Sequence, residues 1–310
     1  MSRSSLPEAY QNLPLTDQNK TLLATEFLGF SRLFTLSWKL VRRTFLKITL
    51  PYFLTLGAVL ISTIVIGVLL FTSLANYFEM VVATVFTGLY ALLFVPLNIA
   101  LIFLTRVTYL RRLAGHAVPL WSVWSGEQWK RAAKYFLVFL GIAVLTEFIP
   151  GLFETNSVFA GPSQEYLLLS GVLEGLSLVL SLVVTGLVGT YGVIVSLEGT
   201  SFDALIPLAY RASKPYFWLN ALRWFWLLLI LVVLVAGCLL VPLLFYSFFW
   251  LPFSLFTSEI SMFSILSFFL PLIIGLLIYP FYLTIYDAFH LLATANLRAF
   301  DENRGKTLDN

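Results

Sequence analysis

Long apolar stretches dominate the chain, and short polar segments separate them. A helix needs roughly 20 apolar residues to cross the hydrocarbon core of a bilayer. Six stretches reach that length, approximately Leu50–Leu74, Glu79–Thr105, Tyr135–Phe153, Tyr166–Leu197, Phe217–Phe245 and Met262–Leu291. The pattern predicts an all-α integral membrane protein with six transmembrane helices.

Composition favours the same class of protein. Of the 310 residues, 59% are hydrophobic and only 11% are charged, with a mean hydropathy of +0.91. Soluble globular chains carry about 25% charged residues, so this chain has too few to cover a water-facing surface. The net charge of +3 gives no reason to expect a nucleic-acid partner. The single cysteine, Cys238, lies in an apolar run and has no intrachain disulfide partner.

The basic residues fall on one side of the predicted spans. All 19 Lys and Arg residues lie before span one, between spans two and three, around the start of span five, or after span six. The opposite loops, near Ser73–Phe78, Glu154–Glu165 and Trp250–Ser261, contain none. The positive-inside rule therefore predicts that both termini are cytoplasmic.

A repeat of about 85 residues groups the six spans into three hairpins. Gly29, Gly115 and Gly199 each precede a short segment that leads into an outward span and a return span. The short segments are Arg32–Lys47, Pro119–Lys134 and Phe202–Pro215. The predicted fold is therefore three helical hairpins, each preceded by a cytoplasmic interfacial amphipathic helix.

The first short segment has the clearest amphipathic pattern. Its apolar residues recur at three- and four-residue steps: Phe30, Leu33, Phe34, Val41, Phe45 and Ile48. A helix of this kind lies in the headgroup plane, with its apolar face in the acyl boundary and its cations near anionic lipid. It either anchors the bundle or contacts lipid or a partner. The candidate contacts are Arg32, Lys39, Arg42, Arg43, Lys47, Arg111 and Arg112.

The polar ends of the chain are expected to be tails. Residues 1–27 are predicted to form a flexible cytoplasmic tail, residues 28–298 the six-helix membrane domain, and residues 299–310 a short cytoplasmic tail. Met1–Lys20 has no basic region followed directly by an apolar stretch, so no cleavable signal peptide is expected.

Two carboxylates lie within the predicted spans, where a charge is costly unless it is paired or hydrated. Glu147 in span three and Glu174 in span four both fall in the outer half of the membrane. They could share a proton and form a cation or proton site. Alternatively, each reaches outward to hydrated headgroups.

Span four carries a stripe of small residues: Gly171, Gly175, Ser177, Ser181, Thr185 and Gly189. Small residues allow the backbones of neighbouring helices to approach closely. Close packing is favoured over a polar permeation stripe, and span four is predicted to be the central helix of the bundle.

Asp287 and His290 lie three residues apart near the inner end of span six and form a candidate ion pair. The favoured alternative is that Asp287 pairs with a cytoplasmic-end base, namely Arg106, Arg111 or Arg112. The only other histidine is His116, and the chain has no recognised metal-ligand spacing, so no metal site is predicted.

Three segments carry a resemblance to a known family: Ser37–Phe45, the stretch Leu197–Leu205 with Ala209–Lys214, and Leu297–Gly305. Over roughly residues 28–305 the chain resembles the six-span membrane domain that is fused to some bacterial glycerophosphodiester phosphodiesterases, and its stand-alone relatives. The resemblance implies a membrane domain, and it does not imply hydrolysis, because nothing in the sequence supplies the metal-binding carboxylates that a phosphodiesterase domain needs. It implies no catalytic residues.

No nucleophile–base arrangement, P-loop, HExxH, GxSxG or GxGxxG occurs in a credible context. We therefore expect no enzyme activity and no cofactor. The predicted function is a non-catalytic inner-membrane protein that scaffolds, stabilises or regulates a membrane protein or lipid assembly. A transporter or channel component for a lipid or small solute is the alternative, and an intramembrane enzyme of lipid metabolism comes third. The expected partners are anionic headgroups on the cytoplasmic face and another membrane protein or a second copy of the chain.

Overall fold

A computed structural model describes residues 6–59, 61–62, 80–118, 125–141, 186–199, 214–245 and 262–308. Within these ranges the fold is all-α, as predicted. The helices are α1 (Asp17–Thr25), α2 (Phe30–Thr44), α3 (50–59), α4 (Met80–Leu113), α5 (126–141), α6 (Gly186–Glu198), α7 (Phe217–Phe245) and α8 (Met262–Leu308). Short 3-10 turns at Glu8–Tyr10 and Lys214–Tyr216 and a π-helical turn at Phe45–Thr49 complete the described elements.

The C-terminal helix α8 is the element against which most of the others pack. It contacts α1, α2, α4 and α7, and its residues from Ala288 to Leu297 are buried. At 1.5 Å per residue, its 47 residues extend about 70 Å, more than twice the thickness of a bilayer core. The helix therefore continues well past the predicted end of span six, and residues 299–308 extend it instead of forming the predicted tail.

The N-terminal segment, residues 6–28, packs against the bundle, whereas we expected residues 1–27 to be flexible. The hydroxyl of Thr16 caps α1 by accepting a hydrogen bond from the amide of Asn19 at 3.4 Å. The segment buries widely spaced apolar side chains in the same core as α8: Leu6, Tyr10, Leu13, Leu23 and Leu28. The polar residues between these anchors explain why the composition suggested a tail.

The predicted interfacial helix and first span form one helical path. α2 passes through a π-helical turn at Phe45–Thr49 into α3. Pro51 has no amide hydrogen, so the carbonyl of Lys47 lacks its usual α-helical donor. The guanidinium of Arg112 in α4 donates to that carbonyl at 3.3 Å. The π-turn and the arginine together accommodate the proline.

Protein covers much of the apolar face of α2, which we expected to lie in the acyl boundary. Leu33 and Val41 from the predicted face are buried, together with Leu36 and Leu40, in the core that contains α8. Phe45, from the same predicted face, is exposed. Amphipathicity therefore predicted the helix correctly, but the bundle itself covers most of its apolar side.

Helix α6, the described end of predicted span four, is enclosed by other helices. Every residue from Gly186 to Leu197 is buried except the half-buried Leu187. This burial fits the central position that we predicted for span four.

Three glycines on α6 allow side chains from other helices to approach its backbone. A methyl group on Gly189 would lie 2.5 Å from the imidazole of His290 in α8. A methyl group on Gly192 would lie 2.2 Å from the ring of Tyr135 in α5. Gly186 meets an indole ring of α7 in the same way. Gly189 belongs to the predicted stripe and serves the close packing expected of it.

Helix α7 presents apolar side chains to the outside and polar ones to the core. Asn220 and Arg223 are buried. The exposed side chains are Trp218, Leu219, Leu222, Phe225, Trp226, Leu229, Val232 and Val233. A surface helix of a soluble protein shows the opposite arrangement. Among the residues that the structure describes, Phe217–Leu234 is the one helical stretch that is long and apolar enough to cross a membrane.

The substitution Gly189→Ala tests the close packing of α6 against α8. We expect it to lower the free energy of unfolding by about 1–3 kcal/mol, because the added methyl group would lie 2.5 Å from the buried imidazole of His290 and force it to shift. The matched control is Gly88→Ala on α4, where an added methyl group meets nothing within 4 Å. Denaturant unfolding in detergent measures the free energy of unfolding of both variants. Equal losses in the two variants would contradict the close packing of α6 against α8.

Candidate functional site

A buried ion pair joins α4 to α8. Nη2 of Arg106 donates to Oδ1 of Asp287 at 2.6 Å, and Nε lies 3.2 Å from each carboxylate oxygen. The hydroxyl of Tyr52 in α3 donates to Oδ2 at 2.7 Å. The two charged side chains are only 9% and 2% exposed. Three helices are therefore held together at one carboxylate, and the prediction that Asp287 pairs with a base such as Arg106 is confirmed.

Aromatic rings enclose this ion pair. Cζ of Arg106 lies 5.8, 5.1 and 5.5 Å from the ring centroids of Phe103, Tyr135 and Tyr286. A desolvated cation over an aromatic face gains about 2 kcal/mol. The rings also exclude water, which strengthens the attraction between guanidinium and carboxylate.

His290 does not form the predicted pair with Asp287. The side chain is 1% exposed, and neither ring nitrogen has a hydrogen-bond partner within the described part of the chain. Its ring centroid lies 4.3 Å from that of Tyr286. Three-residue spacing places two side chains near each other on a helix, but here the carboxylate meets α3 and α4 while the imidazole meets Gly189 of α6.

The imidazole borders a small cavity. The cavity has a volume of about 20 Å³, and its other lining residues are Gly186, Trp224, Leu227, Leu228, Tyr282 and Tyr286. A space of this size holds about one water molecule. Within the described ranges, no group of three or more His, Cys, Asp and Glu residues is placed to hold a metal ion.

Asn296 of α8 holds the end of the N-terminal segment. Its Nδ2 donates to the carbonyls of Leu23 at 2.8 Å and Glu26 at 2.7 Å. Its Oδ1 accepts from the amide of Leu28 and from Nη2 of Arg223, each at 3.1 Å. A side-chain amide offers two donors and one oxygen with two lone pairs. Every hydrogen-bonding position of this side chain therefore has a partner.

Arg223 extends this contact from α7. Its guanidinium donates to the carbonyl of Leu28 and, at 2.8 Å, to Oδ1 of Asn220. Cζ lies 3.9 Å above the ring of Phe27. Among the described residues it has no carboxylate partner, so backbone, amide and aromatic groups stabilise its charge. The sequence identified Arg223 only as one of the cytoplasmic-side cations.

A second contact ties the N-terminal segment to α6 and α8. Arg298 forms a bidentate ion pair with Glu198, and the hydroxyl of Tyr10 donates to Oε1 of the same carboxylate at 3.1 Å. Burial raises the pKa of Tyr10 well above its usual value, and the charge of Glu198 raises it further. Burial alone would lower the pKa of Arg298, but its bond to Glu198 raises it.

Sequence reasoning missed both contacts of the N-terminal segment. Glu198 and Arg298 occur in two segments of the family resemblance, but the pairing between them was not predicted. Their separation of 100 residues hides the pair from any local pattern.

Arg131 joins the beginning of α5 to the end of α6. It pairs with Glu127 at 2.6 Å and donates to the carbonyls of Val195 at 3.0 Å and Ser196 at 2.9 Å. The hydrogen bond from Arg131 lowers the pKa of Glu127. Burial lowers the pKa of the nearby Arg111, and the charge of Arg131 lowers it further.

The predicted headgroup contacts differ in their surroundings. Arg32 pairs with Glu26 at 2.8 Å on the surface. The side chains of Lys39, Arg42, Arg43 and Lys47 are exposed, and those of Arg111 and Arg112 are half-buried. Within the described ranges, these six cations have no carboxylate partner.

The remaining candidates lie outside the described residues. They are Glu147, Glu174, Gly171, Gly175, Ser177, Ser181 and Thr185. The proposed approach of the two glutamates therefore stays a prediction.

No protein-family model, curated protein or solved structure significantly matches the chain. Function must therefore be argued from the arrangement of its own residues.

A double-mutant cycle tests the ion pair. Asp287→Leu alone leaves a buried guanidinium without its carboxylate, and we expect a loss of about 3–5 kcal/mol in the free energy of unfolding. The double variant Arg106→Met/Asp287→Leu removes both charges and should lose less than either single variant. Unfolding in detergent measures the free energy of unfolding of all three variants. If the loss in the double variant equals the sum of the losses in the single variants, the two charges do not stabilise each other.

Asn296→Ala tests the attachment of the N-terminal segment. Because the variant removes the amide group bonded to Leu23, Glu26 and Leu28, we expect faster hydrogen exchange at the Leu28 amide and easier proteolysis of residues 6–28. Tyr10→Phe is the milder comparison, since it removes one hydroxyl hydrogen bond worth about 1 kcal/mol. Unchanged protection in the Asn296 variant would contradict this role.

Proposed function

We propose that the chain is a non-catalytic, multi-pass inner-membrane protein that binds and stabilises or regulates a membrane protein or lipid assembly. The observation that carries the proposal is the outward apolar face of α7 together with its buried Arg223 and Asn220. Water favours the opposite arrangement, whereas lipid favours this one.

Six spans with both termini inside remain part of the proposal. Of the described helices, α7 contains the stretch that is long and apolar enough to cross a membrane, and α4 and α8, at 34 and 47 residues, also exceed in length the roughly 20 residues that a span requires. The one-sided basic residues and the threefold repeat support the same topology. The resemblance to the phosphodiesterase-associated membrane domain also belongs to this proposal.

A binding role is favoured because the described residues around the Arg106–Asp287 pair pack closely. The pair joins α4 to α8, and bulky side chains contact the backbone of α6 at its glycines. The cavity beside His290 has a volume of about 20 Å³, which is room for about one water molecule. The exposed apolar side chains of α7 instead give a partner helix or lipid a surface to contact.

Transport of a small solute or proton is the second candidate. Its support is the buried imidazole of His290, whose nitrogens have no described partner, one helical turn from Asp287. Proton flux into proteoliposomes that is lost in His290→Leu but kept in Gly88→Ala would favour this function.

Co-purification tests the binding role. The full chain is purified in mild detergent, and everything that co-elutes is identified. We expect a stoichiometric membrane partner or a second copy of the chain. We also expect Leu222→Ala/Leu229→Ala, on the exposed face of α7, to weaken that association without changing the unfolding midpoint. Recovery of the chain alone as a monomer, with neither protein nor lipid, would count against the proposal.

A charge on the outer face of α7 tests its exposure to lipid. Val233→Lys should disfavour membrane insertion by about 2.5–3.5 kcal/mol, because a lysine near the centre of a span must be desolvated. Val233→Ala is the control at the same position. Resistance to alkaline carbonate extraction measures insertion, and an unaffected Lys variant would place this face in water.

A further inference from the structure

The outer surface of α2 and α3 changes from basic to apolar within a few turns. Lys39, Arg42 and Arg43 are exposed on α2. The π-turn that follows exposes Leu46 at 76%, and α3 exposes Leu54. A surface that passes from cations to aliphatic side chains matches the boundary between lipid headgroups and acyl chains.

Exposed aromatic residues lie beside this surface. Trp38 directly precedes Lys39 on α2 and is exposed, and its ring packs edge-on against the exposed Phe281 of α8 at 6.2 Å between centroids. Trp is enriched at membrane–water interfaces. An exposed Trp next to exposed cations is therefore typical of a helix that contacts headgroups.

A cation from α4 approaches the α2 helical path near Lys47. Arg43 and Lys47 are four residues apart, and the guanidinium of Arg112 donates to the backbone carbonyl of Lys47. Within the described ranges these three cations have no carboxylate partner, whereas Arg32 and Arg131 do. Neighbouring positive charges without a protein anion favour the binding of an external anion.

We propose that Arg43, Lys47 and Arg112 bind the phosphate of an anionic phospholipid whose acyl chains lie along Leu46 and Leu54. The proposal rests on the membrane location proposed above. A free phosphate ester would satisfy the cations equally, but it would leave the adjacent leucines exposed to water. The apolar surface therefore selects a lipid as the source of the phosphate.

Native mass spectrometry of the full chain in mild detergent tests the site with three probes: phosphatidylglycerol, phosphatidylcholine and soluble glycerol phosphate. We expect phosphatidylglycerol to bind preferentially. Arg43→Gln/Lys47→Gln should weaken its binding about 25-fold, since each cation near an anionic lipid contributes about fivefold. The charge-matched control Arg32→Gln/Lys130→Gln, at exposed positions away from the site, should change binding less than twofold.

Several outcomes would overturn the site. Equal retention of both phospholipids, or equal losses in the two double variants, would show that no selective headgroup site exists. Displacement of phosphatidylglycerol by glycerol phosphate at equal concentration would assign the cations to a soluble anion. A chain that fractionates with membranes but fails these tests refutes only the lipid site. A chain that does not fractionate with membranes refutes the proposed function as well.

Discussion

The ion pair between Arg106 and Asp287 is the constraint on which the described bundle depends. Two charges shielded from water must remain together, because an unpaired buried charge costs several kcal/mol. Their pairing fixes the height of α8 relative to α4, and the hydroxyl of Tyr52 brings α3 to the same level. Once α8 is placed in this way, its neighbours have little freedom to slide along it.

The position of α8 then determines where the N-terminal segment can dock. Asn296 and Arg298 lie between two and four turns beyond Asp287. Asn296 binds the segment directly, whereas Arg298 pairs with Glu198 of α6, which accepts a hydrogen bond from Tyr10 of the segment. Arg223 of α7 adds a hydrogen bond to the carbonyl of Leu28. The segment therefore docks on a surface to which α6, α7 and α8 all contribute.

The helices and the packing role of Gly189 could be predicted from the spacing of apolar and small residues along the chain. The pairing of Asp287 with a basic residue could be predicted because a carboxylate near the end of an apolar helix requires a positive partner. The sequence could not show what covers the apolar face of α2, since protein and lipid are equally apolar. Nor could it predict that residues 6–28 fold, because long-range bonds such as that from Asn296 to Leu23 leave no local pattern. The expected Asp287–His290 pair failed because three-residue spacing does not decide which neighbouring helix each side chain meets.

These features bear on function through the difference between the interior and the surface. Inside the described bundle, Arg106 pairs with Asp287, the Asn296 amide has its hydrogen-bond partners, and glycine backbones are in contact with aromatic and imidazole rings. A passage through this region would have to break the Arg106–Asp287 pair, at a cost of several kcal/mol. Binding of a partner or lipid at the outer surface breaks no such pair, because Leu46, the leucines of α7 and the cations of α2 already lie exposed. Physical chemistry therefore favours recognition on the outside of this protein over movement of a solute through it.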